Sequence, residues 1–559
     1  NTILSDTGFI DDAQLIISAD ALGNGDDTIE TLDGNNRIAA GDGSDTITVG
    51  AGNNDILADT GSFDYATGLF TADENGSGDD VITTGAGNQR ILGGYGADII
   101  TTTIGNDYLL GDTGALQFTG DVLAKATSMG VNGAADIINT GDGDKIVLTG
   151  AGDDEITLGD GNSDVVSDNG SMDYANLVYV SDNTVSGDDV IVAGNGNHRI
   201  LAGNGSDVIT LGAGNNTILS DTGFIDDAQL IISADALGNG DDTIETLDGN
   251  NRIAAGDGSD TITVGAGNND ILADTGSFDY ATGLFTADEN GSGDDVITTG
   301  AGNQRILGGY GSDTITTTNG NDHILGDTGS FQFTTDETGD TLAKATSTGL
   351  NGAADIINTG DGDKIVLTGA GDDEITLGDG NSDVVSDNGS MDYANLVYVS
   401  DNTVSGDDVI VAGNGNHRIL AGNGSDVITL GAGNNTILSD TGFIDDAQLI
   451  ISADALGNGD DTIETLDGNN RIAAGDGSDT ITVGAGNNDI LADTGSFDYA
   501  TGLFTADENG SGDDVITTGA GNQRILGGYG ADIITTTIGN DYLLGDTGAL
   551  QFTGDVLAK

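Results

Sequence analysis

Cysteine, proline and tryptophan are absent from the 559 residues, and aromatic side chains make up only 4%. Without cysteine there is no disulfide framework and no thiolate metal site. A conventional globular core would use more aromatic surface than this. Glycine is abundant, at 95 residues, but without a G-X-Y triplet or proline it excludes collagen and points to many tight turns. No run approaches the 18 apolar residues that a membrane-spanning helix needs. Positive charge is scarce: 13 basic against 93 acidic side chains, a formal net charge of −80.

Such a balance usually signals disorder. Here 36% of residues are still hydrophobic and regularly spaced, so the chain can bury apolar surface once its charge is neutralised. Like charge makes nucleic acid and anionic membrane poor partners, and leaves divalent cations as the natural counterions.

The chain repeats at two scales. Asn1–Lys125 recurs at Asn435–Lys559, and a middle copy begins at Asn216. This predicts three long copies, 1–215, 216–434 and a partial 435–559, in one continuous solenoid. The middle copy carries a four-residue insertion around Thr335–Thr338. Asn1-Thr2-Ile3 matches the interior of a later copy, so the chain reads as part of a longer array. Within each copy lie modules of about 53 residues, opening at Asp26, Asp79, Ala135, Asp188 and so on to Asp513. Each module holds four nine-residue units, a D-T-G or D-N-G triplet and a less regular segment.

The unit is clearest at Gly41-Asp42-Gly43-Ser44-Asp45-Thr46-Ile47-Thr48-Val49, which reads G-x-G-x-D-x-Φ-x-x. The glycines serve turns, and Thr-Ile-Thr is a short strand with its isoleucine pointing inward. Stacked in parallel, such units build a thin continuous core. The pattern resembles the nonapeptide of RTX (repeats-in-toxin, hemolysin-type) proteins, although the first glycine of the family pattern is here usually Ala, Thr, Leu or Ser. The resemblance implies an all-β parallel β-roll or β-solenoid with two units per turn. It also implies calcium held between loops of one edge by the Asp carboxylate and backbone carbonyls.

With two units per turn, odd units share one edge and even units the other. The odd-unit position is Asp in every copy: Asp27, Asp45, Asp80, Asp98, Asp136, Asp154, Asp189, Asp207, Asp242, Asp260, Asp295, Asp313, Asp355, Asp373, Asp408, Asp426, Asp461, Asp479, Asp514 and Asp532. These are the expected metal ligands, because hard oxygen donors suit calcium over transition metals. The even-unit position holds Asn36, Gln89, Lys145 and His198, or Asn54, Asp107, Ser163 and Asn216. Ten of the thirteen basic residues also fall in second units, among them Arg37, Arg90, Lys145 and Arg199. The expectation is that cations and amide ladders partly replace calcium there; a solvated turn is the plainer reading.

The segment after each fourth unit, such as Ser62-Phe63-Asp64-Tyr65-Ala66-Thr67-Gly68-Leu69-Phe70, reads preferentially as a β-hairpin turning at Ala66-Thr67-Gly68. Two degenerate units are the alternative. Either would add apolar surface that could stiffen the roll or meet a neighbour.

Nothing assembles a catalytic centre. Ile56-Leu57-Ala58-Asp59-Thr60-Gly61-Ser62 is similar to an aspartic-protease segment, but that chemistry needs two facing Asp residues, and here the triplet marks each module end as a turn. The G-x-G strings precede no helix, and His198, His323 and His417 are repeat substitutions without catalytic partners. Thr-rich strands resemble ice-binding arrays, but Arg37, Asp55 and Glu155 break the pattern. The resemblance implies secretion, unfolded, through a type I system and folding outside the cell. The expected role is a rigid rod in a surface layer, sheath, filament or giant adhesin that self-associates. A secretion repeat of an RTX enzyme or toxin, and an adhesive module for glycan or protein, are the alternatives.

Overall fold

A computed structural model describes the whole chain except residues 132, 337, 338, 351, 555 and 559, with only the backbone at 335, 336 and 339. Half of the four-residue insertion, residues 337 and 338, therefore lies outside the described residues, as does Lys559. The described residues form strands and turns without a single helix, so no helix is available to cross a membrane. Two compact units divide the chain, Asn1–Ala281 and Thr282–Lys559.

In the first unit the odd nonapeptides stack as one parallel sheet. Thr28–Glu30, Thr46–Val49, Val81–Thr84 and Ile99–Thr101 pair in succession, and the register sets Ile29, Ile47, Ile82 and Ile100 side by side. The column continues through Ile138, Ile156, Ile191, Ile209, Ile244 and Ile262. Even nonapeptides form a second parallel sheet, with Ile38, Ile56, Ile91, Leu109 and Val147 in register. Both columns are buried, so the core is the thin space between the two sheets. The second unit repeats this, from Ile297 and Ile315 to Ile516 and Ile534.

Strand periodicity decides what faces out. Thr46–Val49 alternates exposed and buried, so its threonines lie on the open face of the odd sheet. The turns need glycine: Gly43 has φ +133°, and a Cβ there would collide with the Gly25 carbonyl of the previous turn.

The segments after the fourth units are hairpins, as preferred from sequence. Gly61–Asp64 pairs antiparallel with Leu69–Ala72, and Asp64 Oδ1 accepts the N–H groups of Ala66 and Thr67 to hold the turn. What the spacing did not reveal is that successive hairpins pair with one another. Ile16–Ala19 lies against Gly61–Asp64, and Leu69–Ala72 against Gly114–Thr119. The result is a third, antiparallel layer covering the outer face of the even sheet. Its apolar side is consumed internally: Phe63, Phe70, Leu116, Phe118, Met172 and Tyr179 are all buried.

The arginines lie in the seam between these two layers. Arg90 pairs with both oxygens of Asp55, at 2.6 and 3.0 Å, under Phe70, while Tyr65 donates to Asp55 Oδ2 at 2.8 Å. Arg37 sits 4.2 Å from the Tyr65 ring and Arg199 3.8 Å from that of Tyr179. Arg37 and Asp55 thus belong to the covered face. Of the three residues said to interrupt the threonine pattern, only Glu155 lies on the open sheet, where Glu30, Val81, Ile99 and Asn139 keep the surface irregular.

Truncating the buried column should be felt locally. Ile47→Ala is expected to cost about 2–5 kcal/mol, read as lost hydrogen-exchange protection in Thr28–Glu30 and Val81–Thr84; unchanged protection would refute the assigned core.

Candidate metal centre

The parallel register that aligns the isoleucines also aligns the odd-unit aspartates two residues earlier. In the first unit the backbone N–H of Asp27 donates to Asp45 Oδ1, that of Asp45 to Asp80, and so on without a break to Asp98, Asp136, Asp154, Asp189, Asp207, Asp242 and Asp260. Each of these bonds is 2.7 or 2.8 Å long. The second unit repeats the ladder through Asp295, Asp313, Asp355, Asp373, Asp408, Asp426, Asp461, Asp479, Asp514 and Asp532. All twenty predicted ligands are therefore brought into one row per unit. Asp27 and Asp532 are partly exposed and the other eighteen are buried.

Only half of each carboxylate is accounted for. From Asp45 to Asp242 and from Asp313 to Asp532, every Oδ2 is buried and receives no hydrogen bond. Some have a hydroxyl beside them, as Asp154 has Thr149, Asp189 has Ser167 and Asp242 has Ser220. Those protons are already given to the carbonyls of Ser167, Ala202 and Ala255. A methyl group added at Gly93 would strike both Asp98 Oδ2 and the Gly111 carbonyl, and one at Gly308 both Asp313 Oδ2 and the Gly326 carbonyl. Acceptors thus face acceptors across gaps that glycine keeps open.

Burial, reinforced by neighbouring carboxylates, pushes the carboxyls from Asp45 to Asp242 far above the ordinary value of 3.8. Asp45, Asp189 and Asp242 rise to about 7, and Asp80 and Asp154 to about 9. Either a proton or a cation must occupy the edge. Among the described residues no three acidic or histidine side chains converge on one point. A calcium ion, which takes six to eight oxygens, would therefore complete its shell from backbone carbonyls and water. The all-oxygen donor set and the orphaned Oδ2 atoms fit that ion.

The even edge is lined differently, and its carboxylates have donors within the protein. Asn36 Nδ2 donates to Asn54 Oδ1 at 2.9 Å, and Asn54 Nδ2 to Gln89 Oε1 at 2.9 Å. Gln89 N–H then donates to Asp107 Oδ1, and the Thr102 hydroxyl to Asp107 Oδ2. Next in the row is Lys145, whose buried ammonium donates to the Gly105 and Gly143 carbonyls at 2.5 and 3.0 Å and lies 3.9 Å from Asp107 Oδ2. Lys364 makes the same arrangement with the Gly320 carbonyl and Asp322. His198 Nε2 meets the Gly194 carbonyl at 3.0 Å. The amides and cations expected on this edge are present as Asn, Gln and the two lysines. The arginines are not among them: each follows the ladder residue by one, and the strand alternation turns it to the opposite side.

The sequence marks the triplet aspartates as turn residues, and Asp59 does turn the chain into the hairpin starting at Gly61. The reading missed that its carboxylate is wholly buried on the odd edge. Its recurrence once per module was the available signal.

The family model for the RTX calcium-binding nonapeptide repeat (4 copies) matches residues 23–56, 74–109, 184–218, 238–271, 298–330, 403–437, 457–490 and 508–543. Each segment spans the four nonapeptides of one module. No curated protein and no solved structure matches the chain.

Two outcomes are expected. Folded-state carboxyl values raised above 3.8 mean that the metal-free folded chain holds its protons more tightly than the unfolded one. Their contribution to stability is complete below about pH 4 and is lost as the pH rises through about 7–9. In excess chelator, circular dichroism should therefore show β-structure growing as the pH falls from 9 to 5; loss of β-structure on acidification would contradict the ladder. Lys145→Met should cost about 3–5 kcal/mol, because it strands buried Asp107 and two carbonyls. Lost exchange protection in Asp107–Leu110 and Lys145–Leu148 reports it, and unchanged protection would show that the ammonium is not standing in for an ion.

Proposed function

The chain belongs to the RTX calcium-binding nonapeptide repeat family, and from that premise we propose that it is a calcium-folded structural element that works outside the cell as a rigid spacer. One observation carries the reading: two edges made from the same nonapeptide differ in satisfaction. The even edge meets its carboxylates with donors of its own, as at Asp107 and Lys145, whereas the odd edge leaves a row of buried carboxylate oxygens without donors. Calcium along that row supplies what the sequence withholds, so folding waits for the ion.

The predicted ligands are the twenty odd-unit aspartates, Asp27 through Asp532. The family resemblance supports export of an unfolded chain through a type I system into calcium-rich surroundings. Copies of 215 and 219 residues that scarcely differ support a role in which length counts more than any single site. A surface layer, sheath, filament or giant adhesin, with end-to-end or lateral self-association, is the setting that fits. The calcium-folding repeat region of an RTX enzyme or toxin, with its active domain outside this segment, is the alternative. Continuity of the three long copies as one solenoid is part of the proposal.

The test is folding against free calcium at pH 8. Circular dichroism is expected to show a largely disordered chain in excess chelator and a β spectrum at millimolar calcium, with magnesium a poor substitute. A full β spectrum in chelator would sink the reading.

A further inference from the structure

The nonapeptide aspartates are not the only unsatisfied carboxylates on the odd edge. Asp59, first residue of the D-T-G triplet, follows the even strand Asp55–Leu57 at the point where a nonapeptide would place glycine. Its N–H donates to the Gly93 carbonyl of the next turn, and its Oδ2 accepts the Tyr95 N–H at 2.7 Å. Its Oδ1 is buried and has no partner. Asp168, Asp221, Asp387 and Asp440 repeat the arrangement: a backbone N–H of the next turn reaches Oδ2, at 2.6 to 2.8 Å, while Oδ1 is buried and unmatched. In Asp493 the Tyr529 N–H takes the same role.

The next turn is shaped to admit this side chain. Gly94, at φ +126°, passes so close to Asp59 that a Cβ would collide with the aspartate Cβ. Gly203 does the same for Asp168 and Gly256 for Asp221. At Asp112 and Asp327 the structure also leaves a cavity of about 50 Å³, lined in the first case by Asp112, Thr113, Glu74, Tyr95 and Gly133, and in the second by the equivalent Asp327, Thr328, Glu289, Tyr310 and Gly352. That volume holds an ion with a water or two. The charges acting on Asp59 are those of Asp80, Asp42 and Asp45, all of its own sign.

We propose that the triplet aspartate is itself a metal ligand, forming with the first-unit aspartate of the following module a second class of oxygen site for a divalent hard cation, one per module. Asp59 with Asp80, Asp168 with Asp189 and Asp221 with Asp242 are such pairs, and backbone carbonyls and water fill the remaining positions. The nonapeptide sites bind loop to loop. This one lies where the chain leaves the roll, since the Thr60 carbonyl next to Asp59 accepts the Asp73 N–H that closes the hairpin. It therefore fastens the hairpin layer to the calcium edge. The inference rests on calcium occupying the odd edge.

Calcium bound per chain, measured by equilibrium dialysis on the whole chain, is the direct test. The variant replaces the eight triplet aspartates named above by asparagine, which keeps the acceptor for the next turn's N–H. Bound calcium is expected to fall by about one ion per substituted aspartate with the β spectrum retained at saturation. An unchanged count overturns this inference and leaves the proposed function standing, whereas a wild-type chain that binds no calcium overturns both. If the eightfold variant does not fold, terbium luminescence excited through tyrosine decides. Tyr95→Phe identifies the emission sensitised beside Asp59, and Asp59→Asn alone should remove most of that component. Equal emission from Asp59→Asn and wild type would overturn the inference.

Discussion

The fold depends on a hydrogen bond that settles only half of its acceptor. From Asp45 to Asp242 and from Asp313 to Asp532, each odd-unit aspartate takes the N–H of its neighbour on Oδ1, which fixes the spacing of the turns, and presents Oδ2 to a buried gap without a donor. Replacing one such oxygen with a satisfied group would be easy for evolution, as the even edge demonstrates. Keeping an aspartate at every odd unit is what the proposed dependence on an ion from solution requires. On the proposed function a net charge of −80 becomes intelligible: it would oppose collapse until a counterion binds in the register that the isoleucine columns require.

The distribution of the few basic residues supports the same logic. Eight of the thirteen are arginines in the seam between the even sheet and the hairpin layer, where they face aspartates and aromatic rings. Lys145 and Lys364 enter the even ladder itself. The Lys145 ammonium lies beside Asp107 and donates to the Gly105 and Gly143 carbonyls, a positive charge among carboxylate and backbone oxygens. It shows on one edge what the other edge lacks. The charged seam is distinct in kind, because Asp55 between Arg90 and Tyr65 is fully partnered by side chains.

Much of this was legible in the sequence because nine-residue spacing maps directly onto space. Ile47 and Ile82 differ in module yet share a column, and Asp45 and Asp80 share an edge, for the single reason that two units make a turn. Three things were hidden. The pairing of one hairpin with the next joins residues such as Phe70 and Leu116 that are far apart in the chain, and no local pattern encodes it. Arg37 sits next to a ladder residue in sequence but on the other side of its strand, so adjacency misled. Asp59 lies between glycine-rich turns and reads as a turn residue; only burial distinguishes it from Asp64, which is a turn residue holding Ala66 and Thr67 at the surface.

Because successive aspartates are linked turn to turn, an ion bound at a rung as proposed would touch two turns and order both. Binding and stacking are then the same event, and stability accumulates turn by turn, as in other one-dimensional repeats. A mutation in one rung weakens its neighbours and leaves distant turns folded, so the array tolerates drift and copy-number change. The same coupling sets a direction for assembly: a chain emerging into calcium can fold each turn against the one already formed, and the parallel sheets, slow to nucleate because their contacts are non-local, need nucleate only once. The hairpin layer follows, since a hairpin finds its partner strand only when the roll has placed the preceding hairpin beside it.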